Sequence, residues 1–145
     1  MIYAEEKFQD WFKDAVPLVV ANSKEIDIFG QQLDLDLEAY VSMDMHDLIK
    51  SFTVRDDDGK LVGYCLFYIY NHTHFKEMKV AKQDVIYVDP KYRTCGIKLL
   101  RYTEKELKSH GIDLIIQAAP KISRLGGVLK RLGYEEMETL YTRRL

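Results

Sequence analysis

The sequence predicts a single mixed α/β domain, in which a twisted, mostly antiparallel sheet is flanked by helices. Three observations lead to this fold class. Apolar residues recur at helical spacing near the N-terminus, ahead of a run of apolar and aromatic strands. An Asp-Gly turn joins two of these strands directly, as in an antiparallel hairpin. Strands and helices then alternate toward the C-terminus, which is typical of a sheet that carries helices on its faces.

The composition is that of one globular domain spanning residues 1–145. Hydrophobic residues make up 47% and charged residues 30%, values that exclude a disordered chain. No apolar run approaches the ~20 residues that a membrane-spanning helix needs, and no secretory signal pattern is present. The two cysteines, Cys65 and Cys95, lack metal-ligand spacing and are too few for a disulfide framework. These features predict a protein of the reducing cytoplasm.

The N-terminal part is predicted to be helical. Apolar residues recur at helical spacing over residues 8–19, and Pro17 interrupts them, so this region is either one kinked helix or two helices. A second helix is predicted to run through residue 50. Its N-cap is Asp34 or Asp36, because an aspartate side chain can accept a hydrogen bond from the first free N–H groups.

Strands are predicted at both ends of this helical region. A short strand at residues 1–4 precedes it, and a strand at 51–55 follows it. Residues 56–59 read Asp-Asp-Asp-Gly, a strong hairpin turn that leads into a long apolar strand at 61–70. Residues 71–82 are polar and are predicted to form a loop.

The C-terminal part alternates strands and helices. An apolar strand at 84–88 leads to a helix at 97–110, and a strand at 112–118 leads to a helix at 123–132. Each helix is followed by a glycine at a C-cap position. Residues 134–145 are predicted to form a final strand or hairpin.

The turn between the strand at 84–88 and the following helix predicts an anion site. It contains Arg-x-x-Gly from Arg93 to Gly96 in the first helical turn. A helix start offers about four N–H donors without helical partners and roughly half a positive charge. Gly96 lets an anion approach the backbone, and Arg93 and Lys98 add positive charge. The pattern therefore indicates a phosphate or pyrophosphate ligand, with plain turn chemistry as the alternative.

Longer motifs extend this interpretation to the whole chain. The sequence resembles the GNAT superfamily of acetyl-CoA-dependent N-acetyltransferases through Asp-Gly-Lys-Leu-Val-Gly-Tyr at 58–64, Val-Asp-Pro-Lys-Tyr-Arg-Thr-Cys-Gly at 88–96 and Leu-Gly-Tyr-Glu at 132–135. Within that superfamily it resembles a branch encoded by bacteriophages, through 33–40, 84–87, 99–104 and the ending 132–145.

The resemblance implies a cofactor site. Acetyl-CoA would run along the end of the strand at Tyr87 and Val88, which would bond its pantetheine arm through the backbone. The strands at 84–88 and 112–118 would splay apart, leaving room for the thioester. The CoA pyrophosphate would be bound by the backbone of the turn, which comprises Arg93, Thr94, Cys95, Gly96, Ile97 and Lys98. In the family the last turn position is a small residue, and here it is Lys98.

The resemblance also implies a reaction: acetyl transfer to a primary amine by direct attack in a ternary complex. Asp84, which opens an apolar strand, is the candidate base, and its alternative role is to cap an element or pair with Lys82. Many family members carry an acid tyrosine where this chain has Leu129. Tyr134 and Tyr141 are the substitute candidates.

Charge and composition shape the remaining expectations. Residues 1–60 carry 6 basic and 14 acidic residues, whereas residues 61–145 carry 15 and 9. The acidic half favours a cationic acceptor, such as a polyamine, an aminoglycoside-like amine or a protein lysine, although the two halves could simply attract each other. We expect no metal, since His72 and His74 lack a third ligand. A homodimer is compatible with the family.

Two rival functions follow from the same residues. The first is a non-catalytic acyl-CoA-binding or host-protein-binding relative of the fold, which Leu129 and Lys98 favour. The second is a nucleic-acid-directed protein that uses the basic C-terminal half, although no nucleic-acid motif accompanies those charges.

Overall fold

A computed structural model describes residues 1–26 and 30–145. A short 3-10 turn, Pro90–Cys95, lies between the fourth strand and the third helix. The described elements, in chain order, are β1 Ile2–Glu5, α1 Phe8–Glu25, α2 Leu37–Met45, β2 Ile49–Arg55, β3 Leu61–Asn71, β4 Lys79–Val88, α3 Gly96–Ser109, β5 Leu114–Ile116 and α4 Leu125–Arg131.

The strands form one five-stranded sheet in the order β1-β2-β3-β4-β5. The first four strands pair antiparallel, and β5 pairs parallel with β4 after the α3 crossover. This arrangement confirms the predicted mixed, mostly antiparallel sheet. The hairpin between β2 and β3 is also confirmed: the Asp56 carboxylate accepts hydrogen bonds from the amides of Asp58 and Lys60, and Gly59 adopts a φ of 83°.

Helices cover both faces of the sheet, and each face has its own core. The alternation of side chains along β2 and β3 divides the apolar residues between the two faces. On one face α3 packs with Leu99 and Leu107 against the β2–β3 aromatics Phe52 and Phe67. On the other face, α1 and α2 cover a cluster that includes Phe8, Trp11, Ala15, Leu18, Ile49, Tyr64, Leu66 and Tyr87.

The first helix resolves one alternative left open by the sequence. Phe8–Glu25 is a single continuous helix with Pro17 inside it. Proline lacks the N–H that would bond back to the preceding turn, so one helical hydrogen bond is missing there. Pro17 is exposed, while Trp11 and Ala15 on the buried side are at most 1% exposed, so packing against the sheet holds the helix together.

The second helix is shorter than predicted. It ends at Met45, and Ile49 and Lys50 belong to β2. Asp47 adopts a φ of 55°, a left-handed conformation that turns the chain, and the Ile69 amide then donates to the Leu48 carbonyl at 2.8 Å. Apolar residues at 48 and 49 fit a helix face and a strand equally well, and pairing with β3 selected the strand.

Two C-terminal expectations were wrong in extent or in kind. The predicted loop at 71–82 is only partly a loop, because β4 begins at Lys79 and pairs there with the far end of β3. The predicted final strand or hairpin at 134–145 is absent from the structure, which shows neither helix nor strand there. The three-residue β5 offers a short edge, and Met137 and Leu140 remain 79% and 69% exposed.

In residues 1–26 and 30–145, no helix combines the length and apolar character that crossing a bilayer requires.

Candidate functional site

The pairing between β4 and β5 is short, and the unpaired stretch beside the rest of β4 is called the opening below. They pair only from Val80 opposite Leu114 to Lys82 opposite Ile116. β4 continues to Val88, and within the described ranges no strand pairs with it on that side beyond residue 82. From residue 83 onward β4 therefore has one backbone edge without a described strand partner, and a splay between the two strands stays a prediction.

The hydrogen-bond pattern identifies which backbone groups line this edge. The Asp89 amide donates to the Val62 carbonyl at 2.9 Å, and hydrogen-bonded positions alternate along an antiparallel pair. Tyr87 therefore directs its backbone groups toward β3. Ile86 and Val88 direct theirs toward the opening. Of the predicted pair Tyr87 and Val88, Val88 has the backbone groups that can reach a ligand there.

A β-bulge lies where the opening begins. Leu66 is opposite Val85, but the next residue of β3, Phe67, is opposite Gln83. Asp84 is the extra residue and has no partner across the ladder. Bulges bend a strand and redirect side chains, and they are common beside active sites. Because of the bulge, the Asp84 side chain points in a direction that regular alternation along β4 would not give it.

The Asp84 carboxylate is bound by two tyrosines from other elements. The Tyr40 hydroxyl of α2 donates to Oδ2 at 2.7 Å, and the Tyr68 hydroxyl of β3 donates to Oδ1 at 3.0 Å. Burial and the neighbouring carboxylate raise the pKa of both phenols, so both remain protonated donors. In the described part of the chain no ion pair joins Asp84 to Lys82.

The turn after β4 brings the start of α3 beside the end of the same strand. The Asp89 carboxylate accepts a hydrogen bond from the Lys91 amide at 2.9 Å, which caps the 3-10 turn. Gly96 has a helical φ of −59°, so the backbone does not require glycine there. A side chain at Gly96 would meet only Val88 Cγ2, at an ordinary 3.8 Å. Close packing therefore does not require glycine here either, because an added Cβ would fit.

Arg93 connects the turn to the end of α1. Its Nη2 donates to both oxygens of Glu25, at 3.1 and 2.9 Å, and its guanidinium carbon lies 5.3 Å from the centre of the Tyr87 ring. The Tyr87 hydroxyl also donates to Glu25, at 2.9 Å. Burial acts against ionisation of Glu25, but the Arg93 and Tyr87 hydrogen bonds outweigh it and lower the pKa of the carboxyl. The Arg93 charge is thus partly neutralised in this structure.

The other residues of the turn differ in exposure. Thr94, Ile97 and Lys98 are exposed and accessible to a ligand. Cys95 is 5% exposed and packs in the core under α3. Burial raises the pKa of its thiol, the opposite of an activated cysteine. Any contribution of Cys95 to anion binding would therefore come from its backbone.

The two candidate acid tyrosines lie in different places. The Tyr134 hydroxyl accepts a hydrogen bond from Gln117 Nε2 at 2.9 Å, next to the end of β5. Burial and the nearby Glu104 carboxylate raise the pKa of Tyr134, so its hydroxyl stays protonated. Tyr141 is 91% exposed. The described hydrogen bonds do not connect either tyrosine to Asp84.

Three contacts of the site had no signal in the sequence. Tyr40 and Tyr68 were predicted only as parts of a helix and a strand, yet both bind Asp84. Glu25, which binds Arg93, had no predicted role. Helical spacing and strand alternation could show which side these residues face, but no local pattern shows which carboxylate or guanidinium they meet.

The histidine pair lies away from these groups, in the turn between β3 and β4. The His72 and His74 rings are 5.7 Å apart, and Phe75 lies 5.0 Å from His72. Within residues 1–26 and 30–145, no group of three or more His, Cys, Asp or Glu side chains is arranged to hold a metal ion.

Comparison with known proteins agrees with this geometry. A sequence model of the Acetyltransferase (GNAT) family matches residues 6–128. No curated protein matches the chain. Among solved structures, a ribosomal-protein-alanine N-acetyltransferase from Brucella melitensis biovar Abortus 2308 superimposes with a TM-score of 0.75 at 16% identity, over 100% of both chains.

Two further structures show the same fold. A tetramutant of the BH1408 protein from Bacillus halodurans has a TM-score of 0.77 at 19% identity, over 100% of both chains. An aminoglycoside acetyltransferase, meta-AAC0020, from an uncultured soil metagenomic sample has a TM-score of 0.76 at 15% identity, over 99% of this chain and 95% of that one. Because the family match covers most of the sequence and the whole fold superimposes, the chain belongs to the GNAT family of acetyltransferases.

Proposed function

We propose that this protein transfers an acetyl group from acetyl-CoA to a primary amine, by direct attack in a ternary complex. The observation that carries the proposal is the opening between β4 and β5, which has a free backbone edge on β4 and the Asp84 carboxylate on the bulge where the opening begins. The start of α3 lies at the far end of the same edge.

The residues present fit the parts of acetyl-CoA. The turn at residues 93–98 would bind the pyrophosphate through backbone N–H groups, because a helix start attracts anions and Thr94, Ile97 and Lys98 are exposed there. Ile86 and Val88 offer backbone groups for the pantetheine arm. The bound acetyl-CoA supplies an activated thioester, whose carbonyl carbon accepts the amine and whose thiolate leaves.

Asp84 is the proposed base for the amine. A primary amine of the lysine type has a pKa near ~10.4 and reaches the site protonated. The Asp84 carboxylate would take that proton, directly or through a water molecule, so that the nitrogen lone pair can form the new C–N bond as the C–S bond breaks. The excess proton that the acylated nitrogen then carries would pass to solvent. Tyr40 and Tyr68 would act as positioning residues, because their hydroxyls hold the carboxylate in place.

Tyr134 is the proposed acid. Its hydroxyl lies next to the end of β5, the other wall of the opening, and its raised pKa means that it is protonated before the reaction. It would protonate the leaving thiolate. An ordinary thiol has a pKa of about 8.5, so its thiolate is a modest base and needs only partial help from an acid to leave. Tyr141, the other candidate, is 91% exposed and has no described contact with the opening, which favours Tyr134.

We further propose a cationic acceptor and a phage-encoded protein in the host cytoplasm. The carboxylate of Asp84 lies on the sheet face covered by α1 and α2, which belong to the acidic first 60 residues. An acidic wall attracts a polyamine, an aminoglycoside-like amine or a protein lysine. The bacteriophage assignment depends on the motif resemblance alone.

Two measurements test the proposed function. In a thermal-shift experiment, acetyl-CoA at 100 times its Kd would stabilise the fold by about 2.7 kcal/mol, whereas DNA would not. Thiol release is then followed across a panel of cationic and neutral amines. No stabilisation by millimolar acetyl-CoA would overturn the proposal, and stabilisation with no thiol release from any amine would favour the non-catalytic relative. A salt-sensitive shift with DNA alone would favour the nucleic-acid rival.

A further inference from the structure

Two glutamines stand side by side where β4 and β5 part. Lys82 opposite Ile116 is the last paired position; Gln83 follows it on β4, and Gln117 directly follows the end of β5. Aligned residues of neighbouring parallel strands point to the same face of a sheet. Gln83 is opposite Phe67 of the α3-side core, and Ile115, two residues before Gln117, packs against that same core. Both glutamines therefore belong to the α3 side of the opening.

Each glutamine uses its amide nitrogen and leaves its amide oxygen without a partner. Gln83 Nε2 donates to the Ala118 carbonyl at 3.4 Å, and Gln117 Nε2 donates to the Tyr134 hydroxyl at 2.9 Å. Both Oε1 atoms are closed off from solvent and accept no hydrogen bond within the described ranges. Buried polar atoms almost always have a partner, so two adjacent exceptions at a break in the sheet call for an explanation.

The chemistry of these atoms specifies what would satisfy them. A glutamine Oε1 is an acceptor, so its missing partner is an N–H or O–H donor. The pantetheine arm of an acyl-CoA carries two secondary amides in series, each with one N–H donor. The adenine nucleotide end of the same molecule lies beyond the pyrophosphate, at the start of α3 in the proposed function. The two oxygens are thus placed for the arm and not for the nucleotide.

We propose that Gln83 and Gln117 form a pair of acceptors for the amide N–H groups of the pantetheine arm, at the apex of the opening. This inference depends on the proposed function, since it concerns the same acyl-CoA site. The pair would make the protein selective for a CoA-linked acyl donor over the nucleotide end alone. Neither residue takes part in the chemical step, so both are specificity residues.

Calorimetric titration with two ligands tests the proposal. The first ligand is acetyl-CoA, and the second is 3′-phospho-ADP, which carries the pyrophosphate and nucleotide without the arm. Gln83→Leu and Gln117→Leu keep the approximate size of the side chain and remove the acceptor, together with the amide donor that bonds the Ala118 carbonyl or the Tyr134 hydroxyl. Each is expected to weaken acetyl-CoA binding about 3- to 10-fold, the range of one neutral hydrogen bond, and to leave 3′-phospho-ADP unchanged. Gln9→Leu, at an exposed position of α1, is the matched control.

A second variant guards against a change in the fold. Gln83→Glu retains acceptor oxygens, so it should bind acetyl-CoA more tightly than Gln83→Leu, and ligand-free melting temperatures show whether each variant folds. If the wild type binds acetyl-CoA and both leucine variants bind it with the same affinity, the glutamine assignment is overturned and water satisfies the two oxygens. Equal weakening for both ligands also overturns it. If the wild type binds neither ligand, the proposed function itself fails.

Discussion

Replacing Asp84 by asparagine separates the proposed base from a structural carboxylate. The variant keeps the size of the side chain and one acceptor oxygen, but it removes the negative charge and the basic oxygen. In the wild type the carboxylate accepts hydrogen bonds from the hydroxyls of Tyr40, at 2.7 Å, and Tyr68, at 3.0 Å. The substitution therefore changes both the hydrogen bonds that hold the residue and the proton transfer proposed for it.

The two effects differ in size. Hydrogen bonds to a charged group contribute about 1.5–3 kcal/mol, and neutral ones about 0.5–1.5 kcal/mol. Because Asp84 is only half-buried and asparagine still bonds one tyrosine, we expect a loss of roughly 1–2 kcal/mol of unfolding free energy. A domain with about 5–15 kcal/mol of stability stays folded after such a loss. Removal of a general base costs about 10²- to 10⁴-fold in rate.

The assay measures both quantities on the same preparation. We expect kcat with the best amine of the panel to fall at least about 100-fold, while the acetyl-CoA thermal shift stays unchanged. Urea unfolding gives the stability loss. Asp113→Asn is the matched control. The Asp113 carboxylate accepts a hydrogen bond from the Lys79 amide at 2.8 Å, at the other end of β4 from the proposed site.

Two outcomes of this assay bear directly on Asp84 as the base. If the Asp84→Asn variant keeps kcat within about threefold of the wild type and still binds acetyl-CoA, Asp84 is not the base, since loss of a base should cost far more. If the acetyl-CoA shift disappears together with activity, the substitution has disturbed the cofactor side, and the rate loss says nothing of proton transfer.

Three further predictions concern the scaffold. Burial acts against ionisation of Glu6, but its hydrogen bonds from Arg55 outweigh this effect and lower its pKa. Glu6 therefore stabilises the fold above its unfolded pKa, and this contribution is lost as the pH falls through the folded pKa. Between pH 6 and 3 the melting temperature should fall less steeply in Glu6→Gln than in the wild type, and parallel curves would contradict this. Asp44→Ala should cost about 2–3 kcal/mol in urea unfolding, because the Phe8 amide, which bonds Asp44 at 2.9 Å, is left buried without an acceptor; a loss below about 0.5 kcal/mol would mean that water replaces it. Burial raises the pKa of the Cys95 thiol and shields it from solvent. A thiol reagent at pH 8 should therefore label the folded protein far more slowly than the urea-unfolded chain, and equal rates would refute this.

Elements with a strong local signal were predictable from the sequence. The Asp-Gly hairpin, the long apolar β3 and the amphipathic α3 all have patterns that are complete within a few residues, and the structure confirms each of them. Elements whose extent depends on pairing were not predictable. Residues 79–82 look polar, yet they form strand because the far end of β3 pairs with them. Residues 134–145 are predicted to form a final strand or hairpin, yet none of the described strands pairs with them.

The candidate site shows the same division. Asp84 stood out because a carboxylate at the start of an apolar strand is unusual, and the turn from Arg93 to Gly96 stood out by its motif. The partners of these residues did not stand out. Tyr40 meets Asp84 across 44 residues of sequence, and Glu25 meets Arg93 across 68. The bulge that gives Asp84 its direction is a mismatch between two strands and has no pattern within either one.

The sequence by itself determined the mixed α/β class, the candidate anion-binding turn, the acetyltransferase family resemblance and the candidacy of Asp84, because each depends on residue types at short spacing. The tertiary structure decided which backbone edge is open, which tyrosines hold the carboxylate and which two glutamine oxygens lack a partner. The physical reason is that hydrogen bonds and strand register join residues that are distant along the chain. Only the folded arrangement shows which donor meets which acceptor.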